Sequence, residues 1–321
     1  VGLGYFIIGV SPLYWALLFG VAIIGFGTSL WHAPAFGTLA ARYPERRGFA
    51  MSAHLTGAQI GNTASPIIIG FLLAGTIGSY VFFSGISWRI IAVCLSIPMI
   101  ITGLLVIFKF KSAGSESEGN IAIRDYFRSA KTLLNNYSVL GMALLGAMRG
   151  AVHTSFQVFL VIYMREVLEY SNTLVGVHVA LITMAGIIST PIMGNFSDKL
   201  GRRPVISFAM ILMTILIFLF LFFDSGIMMT FLVGCLGLFF FSVMPIINAA
   251  AMDMVDKGSE GSGTALMFTG GSVIGSITPI FAGIINESSG FHGVVIFSGI
   301  IALIGATLSL VLPMKSAPPE A

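Results

Sequence analysis

Apolar and polar positions in this chain do not alternate. They fall into long unbroken apolar runs separated by short polar or basic turns. A run of about 20 apolar residues is the length of a helix that crosses a bilayer, whereas a barrel strand would alternate at every second residue. Runs of this kind occupy residues 13–40, 50–75, 89–109, 139–164, 171–193, 204–223, 226–251, 263–286 and 291–313, and residues 1–10 read as the tail of one more. The pattern predicts an all-α polytopic membrane protein, with about nine complete helices plus the end of another. The one long polar stretch, 111–138, opens as a Ser/Gly/Glu linker (KSAGSESEGN). It continues as an interfacial amphipathic helix with Ile123, Phe127, Ala130 and Leu134 on one face. This stretch is the expected boundary between residues 1–110 and 139–321.

Composition narrows the function classes. Hydrophobic residues make up 56% of the chain and charged residues 9%, against roughly 25% charged in a soluble domain. A water-facing surface cannot be covered at that density, so most soluble enzymes are excluded. The formal charge of +3 gives no electrostatic support for nucleic-acid binding. Cys94 and Cys235 both sit inside apolar runs, which argues against a disulfide framework. No metal-ligand cluster, Walker loop or nucleophile elbow is present, so neither catalysis nor a metal or cofactor is expected.

The basic residues set the sidedness. Thirteen of the sixteen Lys and Arg fall in one alternating set of loops, among them Arg42, Lys109, Arg124, Lys199, Arg202 and Lys257. The opposite loops hold only Arg89 and Arg165, and Arg149 lies within a span. The basic loops and the C-terminus are therefore expected to be cytoplasmic, in the inner or plasma membrane of a bacterial or archaeal cell.

Two stretches resemble each other. Pro34 is followed by GAQIGNTASPIIIG at 57–70, and Pro245 by GSVIGSITPIFAG at 271–283. The offsets, Pro34 to Pro245 and Pro66 to Pro279, are 211 and 213 residues. A parallel repeat of several helices is a transporter signature. Gly57, Gly61, Pro66 and Gly70, with Gly271, Gly275 and Pro279, read as small-residue helix packing. The offset also predicts that the first half starts about 70–80 residues before Val1, giving twelve helices in two six-helix bundles. On that count, residues 1–110 hold the end of the third helix and helices four to six, and residues 139–321 hold helices seven to twelve.

Arg149 is close to the middle of its span. A central Arg costs roughly 2.5–3.5 kcal/mol on insertion scales, so it should face water, a partner or a substrate. His153 and Gln157 follow at four-residue steps and share its face. The stripe reads as an anion-binding wall, or else as an Arg capping backbone carbonyls with the His and Gln bonded between helices. No Asp or Glu lies in the middle of any span. That leaves His32, His153 or a carboxylate in preceding helices as the titrating group of a proton-coupled carrier.

Residues 194–206, GNFSDKLGRRPVI, resemble the major facilitator superfamily signature G-x-x-x-D-x-x-G-R-[RK], with Gly194, Asp198, Gly201, Arg202 and Arg203 all matching. The motif falls in an expected cytoplasmic loop after the second helix of a half, where that family carries it. The resemblance implies two six-helix bundles working by alternating access, and a gate in which Asp198 accepts from Arg202 or from a neighbouring helix N-terminus. It also places the fourth, seventh and tenth helices on a central cavity. That makes Trp31, His32, Arg149, His153, Gln157 and Asn248 the candidate substrate contacts. Gly57, Gly61, Pro66 and Gly70 partly match the family's antiporter motif, although Ser65 precedes the proline and the spacing is stretched. The run GFGTSLWHAPAFGTLAARYPERRG (25–48) resembles the fosmidomycin-resistance-like branch of bacterial efflux carriers. The expected function is secondary transport by a monomer: efflux of a small anionic or amphipathic compound, coupled to protons or a counter-anion. Uptake of an organic anion, such as a sugar phosphate or carboxylate, stays open, and a polytopic membrane enzyme is the rival class.

Overall fold

The structure is a computed structural model that describes residues 1–42, 47–109, 136–254 and 260–314. The predicted amphipathic helix carrying Ile123, Phe127, Ala130 and Leu134 lies outside the described residues. Nine helical segments are described: α1 Gly2–Val10, α2 Tyr14–Arg42, α3 Arg47–Ala74, α4 Trp88–Lys109, α5 Tyr137–Glu166, α6 Asn172–Leu200, α7 Arg202–Leu219, α8 Gly226–Met252 and α9 Glu260–Val311. Eight of them are long and apolar enough to cross a membrane. Helices are what the sequence demands, because in hydrocarbon every backbone N–H and C=O must be paired within its own segment.

Helix α9 contains one break. Gly290 adopts φ 63 and ψ −166, which divides the segment into two arms. Those arms correspond to the runs expected at 263–286 and 291–313. Between α3 and α4 the chain forms a two-strand ladder, β1 Thr76–Ile77 against β2 Tyr80–Val81. The apolar pattern did not predict it, since two residues per strand are too few to show a period.

The chain divides into two compact units. The first comprises Val1–Asn120 with Ser171–Val177, and the second Ile121–Tyr170 with His178–Ala321. In the first unit α1 packs against α2 and α4 through glycines: a Cβ on Gly4 would lie 2.6 Å from the Gly20 carbonyl, and one on Gly9 2.8 Å from the Arg89 carbonyl. Such close backbone approach is how membrane helices gain packing contact when lipid offers no hydrophobic drive. The first turn of α6 belongs to this unit. There the Thr173 hydroxyl donates to the Thr76 carbonyl at 2.6 Å, and a Cβ on Gly70 would overlap the Asn172 carbonyl.

The second unit has a closed core. Phe156 on α5 is fully buried and meets Phe220 edge-on at 4.9 Å and Phe240 at 6.2 Å. Met142, Leu145, Leu160, Met210 and Met213 are also fully buried. The start of α5 is set by Asn136, whose side chain accepts from the backbone N–H of Ser138 and Val139, satisfying two of the four free donors at a helix start. Buried polar groups knit the helices together. The Ser189 hydroxyl donates to the Leu238 carbonyl at 2.6 Å, the Ser309 hydroxyl to Ser207 at 3.0 Å, and His178 Nε2 lies 2.9 Å from the Thr230 hydroxyl. His178 is thus an interhelical hydrogen bonder.

Candidate functional site: a half-polar cavity along α5

A cavity of about 330 Å³ opens in the second unit between α5, α8 and the first arm of α9. From α5 it is lined by Gly146, Arg149, Gly150, His153 and Thr154. Met244 of α8 contributes, and α9 supplies Met267, Gly271, Ser272, Gly275 and Ser276. Arg149 is 8% exposed, and its Nε is buried with no hydrogen-bond partner among the described residues. The Nε2 of His153 is in the same condition. A buried donor without a partner costs about 1–3 kcal/mol, more when charged. Two such groups on one cavity wall mark a place where a bound group or water would be stabilised.

The His153 ring is held by edge-on contacts with Phe240 at 5.0 Å and Phe241 at 5.2 Å. These phenylalanines orient the imidazole and do not line the cavity, so the aromatic run on α8 packs against the site from behind. The Thr154 hydroxyl is 3.1 Å from the Gly275 carbonyl and 3.0 Å from that of Gly150. This bridge draws α5 and α9 together and ends the cavity at that level.

The bridge explains where the expected stripe stops. Arg149 and His153 line the cavity, but Gln157 does not. Its direction around the helix is suitable. At 1.5 Å per residue, however, it lies about 4.5 Å past Thr154, beyond the bridge. Asn248 is on α8, and its Oδ1 is buried without a partner among the described residues, yet it is not part of this cavity. Trp31 is on α2 in the first unit, 46% exposed, with its ring 6.2 Å from that of His54. The side chain of His32 lies outside the described residues.

The glycines assigned to packing differ in their surroundings. Only Gly70 makes a close backbone approach. At Gly57 and Gly61 a Cβ would meet nothing within 4 Å among the described residues. The same is true of Gly271, and at Gly275 the nearest atom is the Thr154 hydroxyl oxygen, 3.9 Å away. Gly271 and Gly275 leave room for the cavity while their carbonyls still meet α5, at 3.7 Å from the Gly150 Cβ position and 3.1 Å from the Thr154 hydroxyl. Pro66 and Pro279 both lie inside helices, α3 and α9. Thr154, Ser272, Ser276 and Met267 were not singled out as a site from the sequence. The signal that could have found Ser272 and Ser276 is their pairing with Gly271 and Gly275 in a Gly-Ser repeat of four residues.

The signature motif is also reshaped. Residues Gly194 to Leu200 are helical, the end of α6, and α7 starts at Arg202. The expected loop is thus the single residue Gly201, with φ 94, a conformation that favours glycine. Gly194 meets nothing within 4 Å of its Cβ position among the described residues. Asp198 accepts from Arg202 Nη1, one turn on. Arg202 also donates to the Ser197 hydroxyl, and its Nε lies 3.4 Å from Asp253 Oδ2. Asp253, at the end of α8, is a third member that the motif did not announce. Arg203 is exposed.

Comparison with known proteins follows the same lines. The family described as Major Facilitator Superfamily matches residues 142–321, and the MFS_1 like family matches residues 48–188. No curated protein matches the sequence. Among solved structures, the chain is similar to a bacterial homologue of the iron transporter ferroportin in its inward-facing state, with TM-score 0.59 and 14% identity. The similarity covers 83% of this chain and 63% of that protein, so the chain spans less than two thirds of its length. At that identity the likeness concerns the fold. With a membrane-helical fold, the Gly194–Arg203 signature in place and more than half of the chain matched, this protein belongs to the Major Facilitator Superfamily.

Proposed function

We propose that this protein is a secondary active transporter that exports a small anionic compound by alternating access, coupled to protons or a counter-anion. The observation that carries this reading is the cavity of about 330 Å³ in which Arg149 Nε and His153 Nε2 are buried and unpartnered. A guanidinium in a membrane interior is costly unless something compensates it. With no Asp or Glu among the described residues of the cavity wall, an incoming carboxylate or phosphate does so. His153 is the titratable neighbour through which a proton would enter the cycle. The partial antiporter spacing Gly57, Gly61, Pro66, Gly70 favours the outward direction. The Asp198–Arg202–Asp253 cluster fixes the α6–α7 turn to the end of α8 on the basic, cytoplasmic side, and so holds the gate motif of the second unit in one arrangement. The protein works as a monomer in the cell membrane.

The test is transport in proteoliposomes against a panel of anions, cations and neutral solutes, imposed in both directions. Arg149→Lys keeps the charge but loses the bidentate fork, and affinity for an anion should fall by at least about tenfold in a protein that still folds. Normal transport by both Arg149→Lys and Arg149→Ala would make Arg149 structural. Net inward movement alone, with the same Arg149 dependence, would select organic-anion uptake instead.

A further inference from the structure

The two ends of the cavity differ in chemistry, and the difference constrains what can fill it. At one end the Met244 and Met267 methyls converge on a single point, each 3.4 Å from the Cβ position of Gly146. Arg149 and Gly150 come next along α5, and His153 and Thr154 lie at the other end. From Gly146 to His153 is two turns, about 10 Å. The thioethers are apolar, unbranched and polarisable, and so suited to tails of varied shape. Opposite α5, Ser272 and Ser276 alternate with Gly271 and Gly275, which gives a flat wall bearing hydroxyls and nothing bulky.

Charge sets a second limit. Among the described residues Arg149 is the one Lys or Arg on the wall, and no acid accompanies it. A monoanion is balanced by one guanidinium. A dianion such as a phosphate monoester would carry an uncompensated charge into a low-dielectric site. A neutral sugar would leave the guanidinium unpaired and set hydroxyls against methionine.

Building on the anion-transport reading above, we propose that the cavity takes a small amphipathic monoanion, an aryl or short-chain alkyl carboxylate. Its acid group lies against Arg149 and His153, and its apolar end lies between Met244 and Met267. The two methionines set selectivity for the tail. The Gly271–Ser276 wall admits the ligand's flat side, with Ser272 facing the second carboxylate oxygen, while the Ser276 hydroxyl donates to the Ser272 carbonyl.

Calorimetric binding to the full chain in nanodiscs tests this, with benzoate, hexanoate, acetate, benzyl alcohol, benzylamine, inorganic phosphate and glucose 6-phosphate as probes. Benzoate and hexanoate should bind at least about tenfold more tightly than acetate, and the alcohol and the amine should show no binding. Arg149→Gln should weaken benzoate by at least about thirtyfold. Met244→Ser together with Met267→Ser should lower the hexanoate-to-acetate affinity ratio by about tenfold. The longer-chained Met244→Gln, which keeps bulk but not apolarity, should lower it in the same direction and covers the case in which the double variant fails to fold. Phosphate or glucose 6-phosphate binding more tightly than benzoate through Arg149 would overturn the proposal and leave anion transport standing. A ratio unchanged in the methionine variants would overturn it too. Binding of none of the anions would remove both readings.

Discussion

Helices α4 and α5 invert the usual link between hydropathy and burial. The membrane-length window of α4 has mean hydropathy 2.8, yet only 17% of it is buried. The window of α5 has mean hydropathy 1.2, and 56% of it is buried. The contrast extends to the units that hold them. The windows of α2 and α3 are each 6% buried, while those of α6 to α9 run from 44% to 56%. Hydropathy reports the solvent a helix must tolerate, which here is lipid. Burial depends on which helices lie alongside and how closely they approach; small and polar residues permit the approach but do not supply the partner, as the 6% burial of the glycine-rich α3 window shows. Helix α5 carries Gly141, Gly146, Gly150, Ala147, Ala151 and Ser155 along its length, and α4 has one glycine in the same span. The helix with the candidate site thus shares the lowest mean hydropathy, 1.2, with α3, and is among the most enclosed.

The sharpest way to break this comparison is to add bulk where backbones meet. A side chain on Gly237 would overlap the Ile182 carbonyl, a backbone atom that cannot turn aside. Gly237→Leu should cost more than the ~3 kcal/mol upper range of ordinary overpacking and abolish the folded protein in detergent. Gly57→Leu, facing open space, should leave thermal unfolding unchanged. Equal losses in the two would show that the units are packed alike.

Removing bulk gives a smaller effect. Phe156→Ala empties a fully buried site against Phe220 and Phe240 and should cost about 3 kcal/mol in denaturant unfolding. Ile60, 62% exposed on α3, should lose no more than about 0.5 kcal/mol on the same change.

The turn between α6 and α7 offers a functional contrast of middle size. Asp198→Asn removes the pair with Arg202 but leaves Asp253 in reach. The Asp198 side chain is 64% exposed, so little stability is at stake. Transport should fall by about tenfold through the conformational equilibrium, the scale of a typical coupling energy. Substrate affinity measured at equilibrium on the same variant should hold. Lost binding with an unchanged conformational equilibrium would refute a latch.

The smallest expected effect is at the end of α5. The Tyr163 hydroxyl donates to Asp224 at 2.8 Å, and its ring stacks on Phe291 at 4.4 Å. Tyr163→Phe keeps the stack and loses the hydrogen bond, so unfolding should show a loss of about 1–2 kcal/mol. A loss as large as that of Phe156→Ala would mean that this end, not the aromatic core, holds the second unit together.

By itself the sequence determined the spans and the family. Uninterrupted apolar runs of membrane length have one stable solution in lipid, and every run it marks is a helix here, with α9 breaking at Gly290 where two runs were separated. The sequence also marked Arg149, because an unshielded charge in a span is too costly to be incidental. It marked the Asp198–Arg202 pair as well, because one turn of helix separates them. Each of these signals is local, carried within a few residues. What only the tertiary structure decided is which faces meet. Thr154 and Gly275 are 121 residues apart, and their bond ends the cavity, leaving Gln157 beyond it. Asp253 joins Arg202 from the end of another helix. Gly271 borders the cavity, Gly275 carries the carbonyl that Thr154 meets, and Gly70 makes a close backbone contact. A glycine looks the same in the sequence whether it lets a helix in or keeps a side chain out of a cavity. The outcome depends on the partner helix, which no period along one segment can name.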